Sequence, residues 1–282
     1  MAGMGLTFLI GALSLAGGIA TGYSVLQLAR RRAQAPASSF FACLPMLAGV
    51  ITGSLAMALF MSRLLAPHDR FYSEFDALRI LLAVNLSGLA LFSVYFLPHS
   101  SVVRQKFVLR WILRLLIELI ACGVVIAAGV RFNVLSPIPG KEVALDSWAW
   151  LATLVWMLVA MNTVKMLDGI EGAASVVLLV GAVAVFYTTL GTQEYFLHTF
   201  ALVLAGASLA SLRFTAYPAR WSLRGAGSSV AGFLFAVLTV LARQKTVAAL
   251  LFIFPLALVL IVLGGAVLGS LERVLFPDRD QP

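Results

Sequence analysis

Long apolar runs separated by short polar stretches set the pattern of the chain. They fall at about 5–28, 41–64, 78–97, 108–130, 147–164, 173–191, 196–212, 226–242 and 247–271, each 17–25 residues long. A run of that length crosses ~30 Å of hydrocarbon as an α-helix, which satisfies its own backbone hydrogen bonds. None shows the two-residue alternation of a membrane β-strand. The pattern therefore predicts an all-α, polytopic integral membrane protein with about nine transmembrane helices. The first run has no basic stretch ahead of it and continues into Arg30, Arg31 and Arg32 rather than a cleavage site, so it reads as a span and not a signal peptide. The connection 131–146 carries Pro137, Pro139 and Gly140, which predicts a turn or short hairpin there. No linker or low-complexity tract interrupts the series, so residues 1–282 read as a single transmembrane domain.

Composition agrees with this pattern. Hydrophobic residues make up 61% of the 282, more apolar surface than a soluble core can hide, and the mean hydropathy is +1.01. A soluble enzyme, a disulfide scaffold and a disordered chain are all excluded. Cys43 and Cys122 both lie in apolar runs and read as buried free thiols.

Charge then orients the spans. With connections assigned alternately to two sides, one set holds Arg30, Arg31, Arg32, Arg104, Lys106, Arg110, Lys165, Arg213, Arg220, Arg224, Arg273 and Arg279. The other holds Arg63, Arg70, Arg79, Arg131, Lys141, Arg243 and Lys245. Twelve against seven puts the first set in the cytoplasm, the N-terminus outside and the C-terminus inside. The same bias accounts for a pI near 10 without any nucleic-acid partner.

Three polar segments share the face assigned to the cytoplasm: 98–106, 162–172, and 213–220 running on to 224–229. In the second, Asp168 and Glu171 are three apart and flanked by Gly169 and Gly172. As paired carboxylates they would suit Mg²⁺ and a diphosphate, whereas the plainer alternative pairs Asp168 with Lys165 and lets Glu171 cap the next helix. In the third, Arg220 and Arg224 are four apart, and Gly225, Gly227 and Ser228 precede a helix, a pattern suited to phosphate or simply to interfacial anchoring and close helix packing. The fourth run carries Arg110, Arg114 and Glu118 on one helical face. Arg114 there reads as the neutralising partner of Glu118, the one acid well inside a span, with a lipid-phosphate ladder as the alternative. His68, His99 and His198 show no zinc-ligand spacing.

Together these segments resemble the polyprenyl-phosphate N-acetylhexosamine-1-phosphate transferases, also called glycosyltransferase family 4. The family pattern Asn-x-x-Asn-x-x-Asp-Gly-x-Asp-Gly-Leu-Ala is met by Asn162, Asp168, Gly169, Gly172 and Ala174, with Lys165, Glu171 and Ala173 as departures. A Pro-Ala-Arg segment leading to Gly-Asp-x-Gly-Ser and Gly-Phe is matched by Pro218, Ala219, Arg220, Gly227, Ser228, Gly232 and Phe233. The likeness covers the chain from about 78 to 245.

The resemblance implies helical membrane proteins that move a sugar-1-phosphate from a UDP-sugar to a polyprenyl phosphate with Mg²⁺, in cytoplasmic loops. It implies Asp168, Glu171 and His99 as catalytic, with Asp168 and Glu171 as metal ligands. Asn162, Lys165, Lys106, Arg220, Arg224, Gly227 and Ser228 would bind substrate or phosphate. The departures weaken the chemistry. The family's metal-binding aspartate in Gly-Asp-x-Gly-Ser is Gly225 here, its adjacent aspartate pair falls on Pro98 and His99, and its late histidine loop is expected to be lacking. The resulting expectation is a diverged, catalytically impaired member acting in cell-envelope polysaccharide or glycolipid assembly at the inner membrane. It would bind lipid phosphate or a UDP-sugar, with a second copy or an assembly protein as partner. An active Mg²⁺-dependent transferase and a small-solute transporter remain as alternatives.

Overall fold

The computed structural model describes residues 2–31, 39–60, 73–93, 107–132, 134–138, 141–167, 172–190, 194–216 and 226–242. Among them are eight α-helices: α1 (Ala2–Arg31), α2 (Ser39–Leu59), α3 (Glu74–Ser93), α4 (Phe107–Ala127), α5 (Ala149–Leu167), α6 (Ala173–Thr189), α7 (Tyr195–Thr215) and α8 (Ala226–Leu241). Each coincides with one of the first eight apolar runs. The ninth run, 247–271, lies outside the described residues. Among the described residues, four stretches are long and apolar enough to cross a membrane: Gly5–Val25, Glu74–Ser93, Ala149–Leu167 and Tyr195–Thr215. Leu44–Leu59, Ala173–Thr189 and Gly227–Leu241 are shorter apolar helices. With this composition the chain is a membrane protein, and side chains such as Leu82, Leu86, Ile112, Ile120, Val180 and Val183 face outward from the bundle.

The helix ends follow local chemistry. α3 starts four residues earlier than its apolar run because Ser73 caps it: the Asp76 amide donates to Ser73 Oγ at 3.1 Å, and Ser73 Oγ donates to Asp76 Oδ2 at 2.7 Å. The 131–146 connection forms the one non-helical element among the described residues. Strands β1 (Val134–Ile138) and β2 (Lys141–Ala144) pair antiparallel, Val134 opposite Ala144 and Ile138 opposite Lys141. A short 3₁₀ turn, Asp146–Trp148, then feeds α5.

Two helices form the interior. α7 packs against α1 and α2 through small residues: a Cβ on Gly206 would lie 2.5 Å from the Gly11 carbonyl oxygen, so the α1 and α7 backbones nearly touch. Ser14 Oγ reaches two carbonyls, Gly49 of α2 and Val203 of α7, each at 2.8 Å, and ties the three helices together. α8 is buried on every side from Gly227 to Ala242. It lies against α5, where a Cβ on Gly232 would meet Met161 Cα at 2.7 Å and Trp156 Nε1 donates to Thr239 Oγ1 at 3.0 Å.

The helices alternate in direction. Tyr23 of α1 meets Phe214 of α7, and Gly172 ahead of α6 lies against Thr215 and Ala216 at the end of α7. Arg114 of α4 reaches both the last turns of α5, through Glu118, and the first turn of α8. These termini therefore gather at one end of the bundle. At the opposite end Arg79 Nε donates to the Ala128 carbonyl at 3.1 Å, Phe8 meets Phe186, and His198 Nε2 bonds the Thr189 carbonyl at 2.5 Å.

Candidate functional site

Among the described residues, the charged groups that meet inside this bundle come from two helices. Glu118, on the inner face of α4, has a side chain only 5% exposed. Arg114, one turn earlier, donates from Nε to Glu118 Oε1 at 3.2 Å. Lys165, in the last turn of α5, donates to the same oxygen at 2.5 Å. The guanidinium also reaches Ser229 Oγ of α8 at 3.4 Å. One buried carboxylate is thus held by two cations from different helices, with the α8 first turn alongside. Burial makes that arrangement necessary, since a lone carboxylate is strongly disfavoured in an apolar interior.

Beside this cluster lies a cavity of about 350 Å³ lined by Arg114, Leu115, Glu118, Asn162, Lys165 and Met166. Asn162 is exposed on α5 and donates from Nδ2 to the Leu158 carbonyl at 2.8 Å. A second, nearly all-apolar cavity of about 490 Å³ lies further along the same helix, lined by Phe132, Trp148, Leu151, Ala152, Val155, Trp156 and Val159. Leu151, Val155, Val159, Asn162 and Met166 recur at helical spacing, so the two cavities share one face of α5 over about 22 Å.

Four of the ten catalytic and binding residues that the resemblance implies lie among the described residues. Asn162 and Lys165 line the polar cavity. Gly227 and Ser228 occupy the first turn of α8, both buried, next to the Ser229 that Arg114 reaches. Arg114 pairs with Glu118 as expected. The Lys165 ammonium is on Glu118, and its pairing with Asp168, the plainer alternative above, lies outside the described residues. Asp168, Glu171, His99, Pro98, Lys106, Arg220, Arg224 and Gly225 lie outside the described residues. The backbone at the edge of the Asp168–Glu171 segment is described, however. Gly172 holds φ +76°, and a Cβ there would meet Leu212 Cδ1 at 3.3 Å. A left-handed residue pressed onto the end of α7 requires glycine.

Sequence reasoning missed the Glu118–Lys165 pair and the part played by Ser229. The pair spans 47 positions, and only folding brings α4 and α5 together. Cys122 is a buried free thiol, with Sγ 3.9 Å from Met161 Sδ, and takes no part in the cavity lining.

The donor set bears on the Mg²⁺ that the resemblance implies. No group of three or more His, Cys, Asp or Glu side chains comes together among the described residues. The acid in the cavity wall, Glu118, is compensated by two cations, which would repel a dication at contact range. This part of the site does not fit a metal.

Comparison with known proteins places these elements. Phospho-N-acetylmuramoyl-pentapeptide-transferase of Geobacillus kaustophilus is 32% identical over 166 residues, 57% of this chain and 45% of that protein. The Bacillus cytotoxicus protein of the same name is 28% identical over 142 residues, 50% and 40% of the two chains. A probable undecaprenyl-phosphate N-acetylglucosaminyl 1-phosphate transferase of Bacillus subtilis is 20% identical over 176 residues, 62% and 49%. The matched part is less than half the length of each of these curated relatives. A family model described as glycosyl transferase family 4 matches residues 88–243, more than half of the chain. That interval takes in α4, the hairpin, α5 to α8 and every residue of the polar cavity, so the chain belongs to glycosyl transferase family 4.

Proposed function

We propose that this protein is a diverged family member that binds a polyprenyl phosphate in the cytoplasmic membrane and serves cell-envelope polysaccharide or glycolipid assembly with impaired sugar-phosphate transfer. Its N-terminus would face outward and its C-terminus the cytoplasm, so the Arg114–Glu118–Lys165 end opens to the inside. The observation that carries this reading is the cavity itself. Its charged lining among the described residues is two cations and one compensated acid, a set suited to an anion. The apolar cavity along the same face of α5 suits a hydrocarbon chain, so head and tail of one amphipathic ligand find matching surfaces. Support for impairment comes from sequence: Pro98, His99 and Gly225 stand where the resembling family carries acids. Without those carboxylates a diphosphate's developing charge goes unmatched, and each lost electrostatic contact typically costs about 10²–10³ in rate.

An active transferase using Mg²⁺ on Asp168 and Glu171, with His99 as base, is the second reading. The observation favouring it is Gly172, whose left-handed backbone preserves a tight turn at the end of that segment. Incorporation of label from UDP-N-acetylglucosamine, or another UDP-sugar, into butanol-extractable lipid by the purified protein with Mg²⁺ decides between them. The proposal expects no turnover above background. Robust turnover that Asp168→Asn abolishes would establish the second reading.

A further inference from the structure

The polar cavity has a sign. Arg114 and Lys165 contribute two positive charges and Glu118 one negative, so these three lining groups carry a net charge of +1. Their exposures are graded in the same sense: Glu118 5%, Lys165 14% and Arg114 37%. The carboxylate is thus deepest and the guanidinium outermost, and an incoming group meets cations first. Glu118 also fixes the lysine. A long, flexible side chain at the end of a span would otherwise turn toward water, and the 2.5 Å contact to Oε1 holds its ammonium at the cavity wall. Asn162 adds an amide whose first N–H donates to Leu158, and the group carries a second. The rim is apolar: Leu115 is 41% exposed and Met166 56% exposed.

We infer that Arg114 and Lys165, positioned by Glu118, form a metal-independent binding site for a phosphate anion, supplying through fixed side chains the positive charge that a divalent cation would otherwise bring. The inference rests on the lipid-phosphate reading above and gives it a site. In a cavity walled by protein and lipid, two preset cations act at reduced dielectric and need no reorganisation when the anion arrives. The guanidinium suits two phosphate oxygens at once and the ammonium a third. A phosphate group on a membrane lipid and a free diphosphate present the same chemistry, so both belong in the test.

The test uses the full chain in phosphatidylcholine nanodiscs, with undecaprenyl phosphate in one arm and inorganic pyrophosphate in the other, each measured in EDTA and in Mg²⁺. Binding in either arm is expected to change less than about twofold on chelation. Arg114→Gln and Lys165→Gln should each weaken it by about tenfold or more, while Lys165→Arg stays within about threefold of wild type. Should Lys165→Gln alone fail to fold, Glu118→Gln with Lys165→Gln removes both charges together and should still lose binding. Capture in the lipid arm alone, or in both arms, supports a headgroup site, and capture of pyrophosphate alone supports a free-anion site. Lipid capture that needs Mg²⁺ and ignores all these substitutions overturns the cation site but leaves the lipid-phosphate reading standing. No capture in either arm overturns both.

Discussion

Glu118 is where the electrostatics of this bundle are concentrated. Its oxygen Oε1 takes both Lys165 and Arg114, so removing either cation leaves one partner behind, and removing the acid leaves two cations side by side. Breaking a buried ion pair from one side typically costs about 3–5 kcal/mol. With Arg114 still in place, Lys165→Met should cost less, about 2 kcal/mol, seen as a lower Tm in detergent. Glu118→Gln combined with Lys165→Met should recover part of that loss, and a double variant no more stable than Lys165→Met alone would show that the pair is not coupled. The left-handed Gly172 makes a second prediction at this scale. Gly172→Ala should destabilise by roughly 1–2 kcal/mol, since a Cβ meets both an unfavourable φ and Leu212. At this scale the sequence was legible wherever partners are near neighbours. Arg114 and Glu118 lie one turn apart and could be paired from spacing alone. Lys165 and Glu118 lie 47 residues apart, a pairing that no local spacing argument reaches.

At the scale of the element, apolar run length located all eight described helices, because a membrane span must be long, apolar and internally bonded. The boundaries were less legible. Ser73 and Asp76 extend α3 beyond its apolar core by polar capping, which hydropathy does not register. Nor does hydropathy say which helices are interior. α7 and α8 read like their neighbours in composition, yet small residues decide that they are surrounded. Gly206 lets α7 approach α1, and Gly232 lets α8 approach α5. Gly206→Leu should therefore separate α1 from α7 and abolish a monodisperse peak in size-exclusion chromatography, a loss of about 3 kcal/mol or more. Ser14→Ala removes only the hydroxyl shared between Gly49 and Val203 and should cost about 1 kcal/mol in a melting experiment. A Gly206→Leu protein as stable as wild type would contradict the close packing.

For the whole molecule, alternating helix direction gathers the ends of α5 and α7 and the starts of α4, α6 and α8 at one end of the bundle, the end that the loop-charge bias assigns to the cytoplasm. That bias predicts opposite exposure for the two ends of α5. In a background with Cys43→Ala and Cys122→Ala, Met166→Cys should be labelled by an impermeant maleimide only after inverted vesicles are made, and Trp148→Cys only in intact cells. The reverse pattern would invert the orientation. Both positions are exposed, Met166 in the last turn of α5 and Trp148 in the 3₁₀ turn that feeds it, so the comparison carries its own control. The same helix lines a polar cavity toward one end and an apolar cavity toward the other, and the proposed lipid-phosphate reading rests on that arrangement. The central claim, recognition of a lipid phosphate without efficient transfer, is tested most directly by native mass spectrometry. The purified protein would be incubated with undecaprenyl phosphate, UDP-N-acetylglucosamine and Mg²⁺. The account predicts a protein peak carrying undecaprenyl phosphate and no sugar-diphosphate lipid accumulating with time. Steady conversion of the bound lipid to that product, or no bound lipid phosphate at all, would contradict it.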